Sequence, residues 1–284
     1  MIESYIIPLL IIISILLILA LSLQLTLGYT GLVNLGHVGL MAIGAYASAL
    51  LSLHGAPLWA STIIASFSSA LVGYALMFPI HKLKGDYVAL TTMGFSVIVY
   101  VILLNWRGLT RGPLGLVGIP RPFESDVAFL LFTCTMALFS FIVIRRIARS
   151  SFGTVLRAIR DDETAVRTAG KNTLKVKSCA FAVSGFFAGL AGGIYGQYFA
   201  YIDPSSFTFN LSIVFTAIAI IGGLASLKGT VYAAIVLVLL PEPLRFIGFS
   251  SSILGPAREM IYGVVVLLVL IYWPKGFLGE VKLG

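Results

Sequence analysis

Apolar runs of about twenty residues recur along almost the whole of this chain, each long enough to cross the hydrocarbon core of a bilayer. Backbone in lipid has no water to bond, so each run must satisfy its own peptide groups, and helices do so within one segment. The expected fold is therefore an all-α integral membrane protein, a polytopic helical bundle with polar connections at its two ends. With 59% hydrophobic and 11% charged residues, the chain lies far from soluble domains. Residues 1–284 are expected to form one membrane domain with no soluble catalytic unit.

Nine segments carry the pattern: 6–27, 32–53, 58–80, 87–105, 127–144, 178–200, 211–227, 230–247 and 259–273. The expected count is about nine transmembrane segments, within eight to ten. Two joints, 27–32 and 227–230, are very short for turns between full spans. Either could be an interruption inside one embedded element. The first run lacks a preceding basic region and a clear cleavage site, so it reads as a retained span rather than a signal peptide.

One long polar block, residues 145–177, breaks the series. It holds nine of the nineteen Lys and Arg residues: Arg145, Arg146, Arg149, Arg157, Arg160, Arg167, Lys171, Lys175 and Lys177. Placing it in the cytoplasm and alternating sides puts Lys82, Lys84, Lys228, Lys275 and Lys282 there too, against Arg107, Arg111, Arg121, Arg245 and Arg258 outside. That asymmetry obeys the positive-inside rule, with the N-terminus outside and the C-terminus inside. The net charge of +8 then reflects cytoplasmic loops rather than a nucleic-acid partner. Trp59, Trp106 and Trp273 fall near expected interfaces. The turn-rich loop 108–122 either caps the outer end or is a bare connector. Cys134 and Cys179 read as small buried hydrophobes.

Three segments could line a path. Gly31, Asn34, Gly36 and His37 lie in a stretch with four glycines in twelve residues, 28–39. Irregular backbone at membrane depth survives only where protein or water satisfies it, and broken helices often line transport paths. Close helix packing through small residues is the competing reading. Gly222, Gly223 and Ser226 form a similar interruption in the other half of the chain, and paired interruptions point to a central path. Thr91 and Thr92 follow Lys84-Gly85-Asp86 at the expected cytoplasmic edge, and either face the path or bond back to helical carbonyls. Ionisable residues inside the spans are few, and Glu242 with Arg245 reads as a rim pair. No metal site or cofactor site is expected. Gly170-Lys171-Asn172 lacks the Ser or Thr and the earlier Gly of a phosphate loop, so ATP would have to be bound by another polypeptide.

Within the polar block, Ser150 to Gly153 should end the fifth span, and residues 154–169 favour helix. Asp161, Asp162 and Glu163 make a helix start, and Gly170 suits the closing position. Such a helix could insert into a groove on a soluble subunit or lie on anionic lipid; the three acids argue for the subunit.

The stretch from Leu156 to Gly170 (LRAIRDDETAVRTAG) resembles the cytoplasmic Glu-Ala-Ala…Gly loop of ABC importer permeases, in the variant of the branched-chain amino-acid permease family. GLVNLGH at 31–37, LKGDYVALTT at 83–92, and Tyr262-Gly263 running to Trp273-Pro274-Lys275-Gly276 are similar to other signatures of that family. Thr164 departs from the Ala of the general loop. The resemblance covers nearly the whole chain and is strongest to the LivM-like one of two permease subunits. It implies a permease of a bacterial or archaeal inner-membrane importer, partnered by a second permease subunit, two ABC ATPase subunits and an extracytoplasmic substrate-binding protein. It further implies that Glu163, Ala165 and Gly170, with Arg160 and Arg167 beside them, form the ATPase-coupling element. Branched-chain amino acids are the implied solute. An ABC permease for urea, amides or another amino acid and an ion-coupled secondary carrier are the alternatives.

Overall fold

The described parts of the apolar runs fold mainly as helices, and helix lengths separate full crossings from partial ones. The structure, a computed structural model, describes residues 3–83, 85–243, 251–272 and 276–278. Helix α1 (Glu3–Gln24) continues through a π-helical turn, Leu25–Tyr29. Then come α2 (His37–Leu53), α3 (Leu58–Ile80), α4 (Asp86–Asn105) and a single turn, α5 (Arg107–Thr110). The long α6 (Asp126–Arg149) leads to two short helices, α7 (Ser151–Asp161) and α8 (Glu163–Thr168). The series ends with α9 (Thr173–Phe199), α10 (Phe209–Gly222), α11 (Leu227–Leu239) and α12 (Ser251–Tyr272).

Among the described residues, six helical segments are long and apolar enough to span a bilayer, and three apolar helices are shorter, α2, α11 and Met260–Val269 within α12. Among the described residues, each of the nine expected segments has its helix, but several boundaries move. Residues 32–36 are irregular, so the second helix begins at His37 rather than 32. The seventh ends at Gly222 instead of 227, and the eighth begins at Leu227 instead of 230. At 1.5 Å per residue the 13 residues of α11 reach about 20 Å, short of the roughly 30 Å hydrocarbon core. The fifth span runs on to Arg149, and only Ser150, in extended conformation, separates it from α7.

Helix α9 is the buried axis, packed against α1, α2 and α3. A methyl group at Gly44 of α2 would lie 2.3 Å from the Cα of Gly189, and one at Gly192 would lie 2.1 Å from the carbonyl oxygen of Met41. The backbones of α2 and α9 therefore touch. Lipid tails are as apolar as leucine, so close van der Waals approach of this kind, not apolar burial, drives helix association in a membrane. The outward faces carry Phe67, Leu71, Leu90, Leu131 and Leu138. Cys134 and Cys179 are also at the surface, which corrects their expected burial. In a bilayer the surface is as apolar as the core, so an apolar neighbourhood does not locate a cysteine.

The chain's turns sort to two ends. At one end lie residues 30–36, the α3–α4 turn, α7, α8 and the α10–α11 break, with Phe277 N donating to Ile221 O at 2.8 Å. This end carries the basic block. At the other end the 106–125 loop is ordered: β1 (Leu116–Val117) pairs antiparallel with β2 (Tyr201–Ile202), with Leu116 opposite Ile202. Arg121 donates through Nε and Nη2 to Tyr198 O at 3.0 and 2.7 Å. This loop is folded onto the end of α9 and is more than a bare connector. Trp59 and Trp106 are exposed at this end. Glu242 accepts a hydrogen bond from Tyr5, and the expected rim pair with Arg245 falls on a residue outside those described. Lys84, Arg245, Trp273, Lys275 and Lys282 lie outside the described residues.

Candidate functional site

The first interruption is held by hydroxyl groups from two other helices. Between Tyr29 and His37 the backbone is irregular, and Gly31 takes φ +71°, a region open to glycine. Leu35 N donates to Thr92 Oγ1 at 3.1 Å, while Ser96 of α4 and Ser212 of α10 donate to Leu35 O at 3.2 and 3.3 Å. Asn34 Oδ1 accepts from Gly36 N at 3.0 Å. A methyl on Gly36 would lie 2.6 Å from Thr92 O, so α4 and the interruption are in backbone contact. His37 is fully buried, with Nε2 2.8 Å from Ser22 Oγ and its ring edge-on to Phe215. Asn34 Nδ2 and His37 Nδ1 are buried without a hydrogen-bond partner among the described residues. Thr91 is half-buried and bonds back to Tyr87 O at 2.8 Å. A cavity of about 130 Å³ opens beside this region between α4 and the start of α10, touching Ser96, Tyr100 and Phe207.

The second interruption is held by Gln24. Its Nε2 shares two protons among Ala219 O at 2.9 Å, Gly223 O at 3.1 Å and Thr230 Oγ1 at 2.9 Å. Its Oε1 accepts from Ala225 N at 3.0 Å. Gly223 and Ala225 both take positive φ, +97° and +62°, which turns the chain sharply. Ser226 caps α11 by accepting from Gly229 N at 3.2 Å. A methyl on Gly222 would lie 2.5 Å from Thr230 N, so α10 and α11 meet backbone to backbone.

The basic block folds as two helices meeting at Asp162. The Asp162 carboxylate accepts from Thr164 N at 2.8 Å and Ala165 N at 3.1 Å, so it caps α8 and ends the single helix expected over 154–169. Gly170, at φ +78°, closes α8 with Lys171 N donating back to Val166 O at 3.2 Å. Leu156, Ile159 and Val166 are buried against the bundle. Thr164, Ala165, Arg167, Thr168 and Gly170 face outward.

Glu163 faces inward. Its Oε1 accepts from Arg167 Nη2 at 2.8 Å and Thr173 Oγ1 at 2.9 Å, and its Oε2 accepts from the buried Lys177 Nζ at 2.5 Å. Burial pushes this carboxyl up, but hydrogen bonds from Lys177 and Thr173, the Lys177 charge and the Arg167 hydrogen bond together hold it below its ordinary value. Arg160 also turns to the bundle, donating through Nη1 to Gly28 O at 2.9 Å. Arg157 lies 5.8 Å from the ring centroid of Tyr29, whose hydroxyl donates to Ala225 O at 2.9 Å. A methyl on Gly28 would lie 2.6 Å from Ala225 N. The two interruptions and α7 thus meet around the π-helical turn.

Four residues central to this geometry, Gln24, Tyr29, Ser96 and Ser212, lay outside the sequence-based candidates. Gln24 had a signal: an amide side chain inside an apolar run, four residues before a glycine.

Residues 5–271 match the family described as "Branched-chain amino acid transport system / permease component". The chain is 34% identical over 267 residues to the high-affinity branched-chain amino acid transport system permease protein LivM of Escherichia coli (strain K12), covering 83% of this chain and 61% of that one. It therefore spans about three-fifths of that relative's length. It is 23% identical over 218 residues to the permease protein LivH of the same named system in that organism, covering 71% of this chain and 67% of that one. Among solved structures, PsaBC from Streptococcus pneumoniae in complex with Fab is similar over 94% of this chain and 91% of that one, at 14% identity and a TM-score of 0.49.

Proposed function

We propose that this chain, which belongs to the family of branched-chain amino acid transport system permease components, forms half of the membrane path of an ATP-driven importer. Its solute is a small polar molecule, with branched-chain amino acids first among the candidates. The observation that carries this reading is the α7–α8 pair at the basic end, tied through Arg160 to Gly28 O and through Arg157 and Tyr29 to Ala225 O, beside both helix interruptions. A soluble subunit that moved this pair would pull directly on the irregular backbone between the spans.

In this reading the basic end faces the cytoplasm and the 106–125 loop faces outward. The outward side of α8, with Ala165, Arg167 and Gly170, docks onto an ATPase subunit. Glu163 and Arg160 face the bundle and position that surface. ATP is bound by two such partner subunits, and this chain has no ATPase site of its own. A second permease completes the path, as supported by LivM and LivH carrying the name of one system in one organism. An extracytoplasmic binding protein delivers the solute. Gly31, Asn34, Gly36, His37, Thr91, Thr92, Gly222, Gly223 and Ser226 line the path when the interruptions part. The buried nitrogens Asn34 Nδ2 and His37 Nδ1 then offer polar contacts without a fixed charge. Such a lining holds a zwitterion weakly, so capture belongs to the binding protein.

Purification of the tagged chain from its native membrane, with partners identified by mass, tests this assignment. A second permease and ATPase subunits are expected in stable association. Recovery of the chain alone would overturn it.

A further inference from the structure

At the basic end, α6, α7 and the α10–α11 break enclose a cavity of about 370 Å³ whose walls include Arg145, Arg149, Arg157 and Lys228. Among the described residues no carboxylate forms an ion pair with any of these four. The acids of the same block are engaged elsewhere: Asp161 with Arg160, Asp162 as the cap of α8, and Glu163 with Arg167 and Lys177. The N-terminus of α11 opens on the same cavity through Ser226 and Leu227, adding the positive end of a 13-residue helix dipole. Four cations in one cavity repel one another unless an anion is held among them.

The cavity also leads down into the bilayer. Phe141 and Lys228 are shared with a second groove of about 510 Å³ between α1, α6 and α11, walled by Leu17, Leu138, Val231 and Tyr232. Along α6, Leu138 and Cys134 lie 11 and 15 residues below Arg149, about 16–22 Å at the helical rise. A charged compartment at the membrane surface thus continues into an apolar one at hydrocarbon depth. An acidic protein loop would fill only the first compartment, and a phosphate-bearing lipid fills both.

We infer that this groove is a binding site for an anionic glycerophospholipid, with its phosphate among Arg145, Arg149, Arg157 and Lys228 and an acyl chain along α6 beside α11. The occupied site bridges α6 and α7 to the break at Ala225, so the lipid stabilises the contact between the cytoplasmic helices and the second interruption. The site is independent of what the chain transports.

The test is native mass spectrometry of the delipidated protein, with whatever subunits accompany it. The titrants are dioleoylphosphatidylglycerol, dioleoylphosphatidylcholine and glycerol 3-phosphate. Saturable binding of phosphatidylglycerol is expected, at least tenfold tighter than phosphatidylcholine. It should weaken at least tenfold in Arg149→Gln/Lys228→Gln and in Leu138→Trp, which fills the apolar groove, and stay unchanged in Lys82→Gln. Equal affinity for the two lipids, or unchanged binding in the double variant, would overturn the site. Displacement of phosphatidylglycerol by millimolar glycerol 3-phosphate, with Leu138→Trp silent, would make it a soluble-anion site and overturn the lipid.

Discussion

Gln24 does the work that a loop in water would leave to solvent. Its amide bonds Ala219 O, Gly223 O, Ala225 N and Thr230 Oγ1, all at the break between α10 and α11. Each interhelical hydrogen bond in lipid contributes about 0.6 kcal/mol, so Gln24→Leu should cost about 2 kcal/mol of stability. Denaturation of the purified protein in mixed detergent micelles reads this directly, and a midpoint equal to wild type would contradict the role. The sequence placed the interruption here, because glycines inside an apolar run are unfavourable to helix and visible. It did not show what satisfied the interruption, because that partner is some 200 residues away in the chain. The same holds for Thr92: its nearness to a glycine-rich stretch was not readable, since only the packing of α4 brings it to Leu35 N.

At the scale of elements, α8 has 6 residues and is too short to persist alone, so its order must come from its attachments. Asp162 fixes its start, Gly170 its end, and Glu163 fastens it to Thr173 and Lys177 on α9. A carboxyl held below its ordinary value contributes stability that is complete above about pH 4.3, the usual glutamate value, and is lost as pH falls through the lower folded value. Backbone amides of residues 163–170 should thus be protected from hydrogen exchange at pH 7 and lose protection, after correction for intrinsic rates, under more acidic conditions. Glu163→Gln should be poorly protected at both, with Lys177 left buried without its carboxylate. Equal protection of variant and wild type at pH 7 would show that the fastening lies elsewhere. The caps of this element were legible, since Asp162 and Gly170 act on backbone within a few residues. The inward turn of Glu163 was not, because it depends on where α9 begins.

At the scale of the molecule, the alternation of apolar runs and the skew of Lys and Arg gave nine apolar helices and a basic end, and the described structure has both. Helix lengths escaped the sequence because an apolar run does not say where a backbone stops being helical: α2 and α11 fall short, and residues 30–36 and 223–226 replace the missing turns. Shortened helices that end at one level, beside a basic helix pair, fit the proposed path driven from outside the membrane. The account stands or falls on where the energy enters. In proteoliposomes holding the chain with its co-purified partners, uptake of labelled leucine should require ATP and the external binding protein and proceed without an ion gradient. Uptake by this chain alone, driven by a proton or sodium gradient in the absence of ATP, would contradict it.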